Sequence, residues 1–195
     1  MPFRTCRFAL LVTGLALVST VHTVDAQSAQ KYALQFAVLS TSIDVGDGEA
    51  VAGYGVEPQL RFNRFYASEQ FAWSVGIGAQ YTTHTSGSDE LTIAGAFIEP
   101  RFVPAVGSSR VFPYVSGRLA FLQQSSNFGS NSTGTAFGAG AGVVIKMTPR
   151  LNLDAGAQLV RQQFGDFEFN DGAAGSFNPF TTYAAKIGIN FGFPR

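Results

Sequence analysis

The sequence predicts an all-β protein: an eight-stranded, antiparallel, up-and-down transmembrane β-barrel behind a cleaved signal peptide. Three observations predict it. Apolar residues alternate with small or polar ones at period two in eight segments, short and long linkers alternate between those segments, and acidic and basic side chains gather at opposite ends.

Taken in chain order, the first element is the export signal. Arg4 and Arg7 precede a short apolar run, Phe8 to Val18, and Val24-Asp25-Ala26 offers a cleavage site, which divides the chain into a signal peptide over 1–26 and a barrel domain over 27–195. The run is too short for a spanning helix, which needs ~20 apolar residues. Cys6, the sole cysteine, precedes that run, so disulfides, thiol catalysis and cysteine-held metals are excluded from the mature chain. The chain's 13 basic side chains balance 13 acidic ones, which gives no support to nucleic-acid binding.

The eight alternating segments are Lys31 to Ile43, Val51 to Asn63, Gln70 to Thr82, Leu91 to Val103, Val111 to Gln123, Ala136 to Met147, Leu151 to Gln163 and Phe180 to Phe193. Each slightly exceeds the ~9–11 residues with which a tilted strand crosses the hydrocarbon layer. The even-numbered linkers are mostly short. The fifth and seventh are expected as long Gly/Ser/Asn-rich loops on the outside, where outer-membrane barrels carry their long loops. Asp44, Asp47, Glu49, Asp89, Glu90, Asp166, Glu168 and Asp171 fall in the outer linkers, whereas Lys31, Arg64, Arg110, Arg150 and Arg195 fall at the other rim.

The second segment shows which face meets what. Tyr54, Val56, Pro58, Leu60 and Phe62 share one side, and Gly53, Gly55, Glu57, Gln59 and Arg61 the other. An eight-stranded barrel has an interior just wide enough for side chains, so the small and charged set belongs inside and the greasy set faces lipid. A soluble periplasmic ligand-binding barrel, with the apolar face inward, is the structural competitor. The inward parity gathers a polar network of Glu57, Gln59, Arg61, Glu99, Arg101, Arg118, Lys146, Asp154, Gln158, Lys186 and Asn190. Buried charges need partners, so this set reads first as a rigidifying plug and second as a narrow ion or small-solute path. Placing Glu99 and Arg101 inside also turns Ile93 and Phe97 inward, which a bulge in the fourth segment would avoid. Pro58, Pro100 and Pro113 each remove a ladder donor and are expected near the periplasmic strand ends.

No catalytic residue or metal site is assigned. His84 lies near Ser86, Asp89 and Glu90, in what reads as a loop with nothing resembling a nucleophile elbow. Glu168 and Asp171 lack the spacing of a calcium loop, and a single mature histidine cannot make a zinc centre. Asn131-Ser132-Thr133 matches a glycosylation pattern with no evident meaning in a bacterial protein. Arg161 takes the lipid-facing parity near the outer strand end, placed to meet a lipopolysaccharide phosphate or to snorkel at the rim. Phe164, Phe167, Phe169, Phe177 and Phe180 crowd the longest linker and are expected to form an exposed contact surface for an unknown extracellular partner.

The segments FPYVSGRLAF (112–121), GAGAGVVIKMTPRLNLDAGAQL (138–159) and the final YAAKIGINFGF make the mature chain resemble the eight-stranded outer-membrane barrel group of the OmpA transmembrane domain and OmpX type. The resemblance implies an outer-membrane location, contact with the insertion machinery through the final strand, and a monomer without cofactor. It departs from the family in running on to Pro194-Arg195 after the last aromatic, Phe193. The function it implies is structural or surface-interacting and non-enzymatic; a pore and, last, a lipid-modifying enzyme are the alternatives.

Overall fold

The computed structural model describes residues 31–44, 50–67, 71–104, 110–176 and 178–193. The expected signal peptide lies outside the described residues, as do Asp47, Glu49, Phe177 and Arg195. Eight long strands close a barrel: β1 (Tyr32–Asp44), β2 (Val51–Ala67), β3 (Phe71–Ser86), β4 (Asp89–Pro104), β5 (Val111–Ser126), β6 (Gly129–Lys146), β7 (Leu151–Phe164) and β10 (Phe180–Phe193). Between the last two, β8 (Asp166–Glu168) and β9 (Ala174–Ser176) form a small hairpin. Neighbouring barrel strands are antiparallel, and β10 closes on β1 from Tyr32–Phe193 to Asp44–Thr181. Closure removes the sheet edges, which lets the backbone satisfy its own hydrogen bonds away from water.

The outer surface carries two aromatic girdles. Tyr32, Phe62, Trp73, Phe102, Phe191 and Phe193 face outward toward the basic end, with Tyr32 edge-on to Phe62 and Trp73 edge-on to Phe102. Tyr54, Tyr81, Phe121, Phe137 and Tyr183 make the second ring, and exposed Phe36, Val38, Ile77, Ile187 and Ile189 fill the belt between. Trp73 and Tyr81 are eight residues apart; at ~3.3 Å per residue and ~40° of tilt this is about 20 Å along the axis, close to the ~25 Å apolar band of membrane barrels.

Past the second girdle the strands continue, and the pattern inverts. Gln123, Ser125, Thr133, Thr135 and Gln163 now point outward, while Ile43, Ile93, Leu122, Ala136, Val160, Phe164 and Phe180 pack together inside. The fifth linker, expected as a long loop over 124–135, is instead the upper part of β5 and β6, joined by a tight turn at Asn127-Phe128. Its Gly, Ser, Asn and Thr content has the composition of a loop, but its alternation is that of a strand. The third linker likewise tightens to a turn at Gly87, whose φ of 62° puts it in the left-handed region that glycine tolerates.

Two expectations about strand irregularity are corrected. The register of β4 against β3 runs unbroken from Phe71–Pro104 to Ser86–Asp89, so no bulge intervenes and Ile93 and Phe97 do point inward. Pro58 sits in mid-strand, not at a strand end, whereas Pro100 lies towards the basic end of β4, level with Phe62 of the lower girdle. The described ladder pauses beside each, between Val56–Tyr81 and Gln59–Gly78 and between Ile98–Leu119 and Arg101–Ser116, where the missing N–H falls. Pro113 likewise lies near the basic end, as expected.

Candidate functional site

The barrel interior is layered. Near the basic end Val103, Phe112, Tyr114 and Val144 form an apolar floor. Above it stands an ionic layer built from inward positions of five strands. Glu99, fully buried, is its hub: Oε1 accepts from Arg61 and Arg101, both at 2.8 Å, and Oε2 accepts from Lys186 at 2.9 Å and from the Gln158 amide at 2.6 Å. Glu57 pairs with Arg118 at 2.7 Å and with Lys186 at 3.4 Å. Asp154 accepts from Arg101 and, at 2.9 Å, from the Tyr114 hydroxyl. Every oxygen of these three carboxylates therefore has a partner, as low-dielectric burial demands.

Small and flat neighbours make room for the long cations. An added Cβ at Gly76 would lie 2.2 Å from the Gln59 amide oxygen and 2.8 Å from Arg61 Nη2, so a side chain there would push the ends of Gln59 and Arg61 out of their present positions. Arg118 lies over the Phe97 ring at 3.7 Å, and Arg101 over Tyr114 at 4.0 Å. An inward Phe97 is thus part of the layer: its face shields a guanidinium that also donates to Gln80 at 2.7 Å.

Over the ionic layer lies the upper apolar plug, in which Phe164 and Phe180 stack at 5.8 Å. Beyond it the hairpin tips are laced together by Asn127. Its side chain accepts from Glu90 N at 3.0 Å and donates to Ser88 O at 2.8 Å, while its carbonyl accepts from the Asn170 amide at 3.0 Å. Phe128 meets Phe167 and Phe169 across the same junction, and Gly129 bridges to Phe169.

Ten of the eleven residues expected in the polar network are buried; hydrogen bonds and ion pairs join nine of them, and Asn190 is buried with its Oδ1 unpartnered. The eleventh is Lys146, half-buried at the basic mouth, with no ion pair to the layer among the described residues. Tyr114, Gln80 and Ser74 also belong to the layer, and their inward parity was the signal that could have found them.

The expected aromatic loop surface is corrected. Phe164, Phe167 and Phe180 are buried, and of that set only Phe169 is exposed among the described residues. The reason is the inverted upper barrel, whose interior needs apolar filling. His84 is a strand residue and not a loop one: it points inward from β3, 2% exposed, with Nε2 2.9 Å from Thr41 Oγ1. Ser86 is exposed at the hairpin top, so no Ser-His pair forms. Arg161 points outward as expected, beside Phe137 and Thr181.

Among solved structures, the fold is similar to that of Neisserial surface protein A, with a TM-score of 0.58 at 17% identity over 84% of this chain and 97% of that one. It is also similar to Ail, the attachment invasion locus protein of Yersinia pestis, with a TM-score of 0.51 at 10% identity over 84% of this chain and 99% of that one. No protein-family model and no curated protein matches the sequence. The chain has the closed eight-stranded fold of these outer-membrane barrels.

Proposed function

We propose that this outer-membrane barrel has a non-enzymatic, surface-interacting role in which the rigid, acidic extracellular tip is the working face and the charged interior is a structural plug. The observation that carries this reading is the lacing of the tip by Asn127 and Phe128, which spends side-chain hydrogen bonds and ring contacts on holding water-exposed turns in one arrangement. Arg161, flanked by an outward aromatic at the second girdle, is suited to hold a lipopolysaccharide phosphate and so to fix the tip's height above the membrane.

A conducting role finds no support in the interior. Apolar layers lie above and below the ion pairs, and the space beside Arg118, Glu57 and Gln80 measures about 20 Å³, room for about one water. Cells carrying the protein should adhere to host matrix or host cells more than cells lacking it. Deleting Gly165 to Asn178 should remove that difference while heat-modifiable migration persists. Equal adhesion with and without the protein overturns the reading.

A further inference from the structure

The ionic layer is short of one negative charge. Its buried charged side chains, among the described residues, are Arg61, Arg101, Arg118 and Lys186 against Glu57, Glu99 and Asp154, four cations to three carboxylates. Acceptors are short as well. Although every carboxylate oxygen is taken, Arg61 Nε and Arg101 Nη2 are buried with no acceptor. A net charge held in a low-dielectric interior is costly unless a counter-charge reaches it.

A small space adjoins this layer. It measures about 20 Å³, room for about one water-sized particle. Arg118, Glu57 and Gln80 of the layer and Val160 of the upper apolar plug are in its wall, which places it between the two. The wall is rich in donors. Gln80 accepts from Arg118 Nη2 at 2.7 Å through its oxygen, so its amide nitrogen keeps its protons for another acceptor. The Thr182 hydroxyl accepts from Gln162 at 2.8 Å and still has its own proton to give. Glu57 is the acid in this wall, and its two oxygens are held by Arg118 and Lys186.

We propose that this space is a binding site for a small monovalent anion of the halide class, held by the Arg118 guanidinium, the Gln80 amide and the Thr182 hydroxyl, and that the anion supplies the missing negative charge. A water molecule would satisfy the same donors but leave the layer's charge uncompensated. A second cation would add to it. The proposal rests on the reading of the charged interior as a structural plug, and the two fail separately: Glu99→Ala weakens a plug of ion pairs whether or not an anion sits beside it.

The test is urea unfolding of protein refolded in lipid vesicles, with sodium gluconate exchanged for sodium chloride or bromide at constant ionic strength, so that general screening stays the same. Chloride and bromide should stabilise the barrel saturably, shifting the unfolding equilibrium about hundredfold once the halide is a hundredfold above its dissociation constant. Gluconate is too large for the space and should not. Gln80→Glu builds a carboxylate of nearly the same shape into the wall. It should abolish the halide dependence and raise the midpoint in gluconate above that of the unsubstituted protein, with heat-modifiable migration confirming the folded barrel. Crystals grown in bromide should show an anomalous peak between Arg118, Gln80 and Thr182, a result that does not require the variant to fold. Midpoints equal in gluconate and chloride, a halide dependence that Gln80→Glu leaves intact, or no anomalous signal at that position overturns the proposal.

Discussion

The two halves of the barrel are one continuous sheet with opposite chemistry on its faces. Below the second girdle β10 turns Ile187 and Ile189 outward and Lys186 and Asn190 inward; above it the same strand turns Thr181 outward and Phe180 inward. Strand β7 makes the same exchange, from Leu159 outside and Gln158 inside to Gln163 outside and Phe164 inside. Backbone pairing does not change across the boundary. What changes is the solvent, hydrocarbon below and water above, and each half puts its apolar side chains where that solvent favours them. The lower half must then hold its interior together with ion pairs, and the upper half with packing.

The largest effect expected from this contrast is at the hub. Glu99→Ala leaves Arg61, Arg101 and Lys186 competing for Glu57 and Asp154, and breaking a buried pair in this way costs about 3–5 kcal/mol. Urea unfolding in lipid vesicles measures it, and a loss below about 1 kcal/mol would mean that the ionic layer does not hold the lower half.

The boundary itself can be located with paired substitutions on one outward face. Ile187→Arg, at mid-belt, should cost about 2–4 kcal/mol, because a cation there meets hydrocarbon. Thr181→Arg, six residues up the same face, should stay within about 0.5 kcal/mol, because it meets water. Equal costs would erase the distinction between the halves.

The smallest effect belongs to the tip. Asn127→Ala should leave the unfolding midpoint of the barrel unchanged but raise amide hydrogen exchange at Ser88 to Glu90, which its side chain ties, and leave exchange around Asn170, held by the Asn127 backbone carbonyl, as it was. Unchanged exchange would show that the hairpins hold their arrangement without the clasp.

Much of this was legible in the residues. Period-two alternation gave eight strands, the signs of the two ends, and ten of the polar side chains buried inside, because side-chain parity along a strand is a local property. The inversion was harder to see. Gln123 to Thr135 is rich in turn-forming residue types, so strand continued into water has the composition of a loop, and Phe164 and Phe180, which read as surface, fill a core. Mid-strand Pro58 is hidden for a related reason: a closed barrel tolerates an interrupted ladder where ladders on either side continue, and sequence does not show that support.

By itself the sequence determined the number of barrel strands, the outward apolar belt and which side chains enter the lower lumen, since all three follow from alternation along single segments. Tertiary structure alone decided that Glu99 of β4 would gather Arg61 of β2, Arg101 of its own strand, Gln158 of β7 and Lys186 of β10. It also decided that His84 of β3 would reach Thr41 of β1 inside the upper barrel. These meetings depend on the register and stagger with which the sheet closes, a property of the barrel as a whole that no single strand encodes.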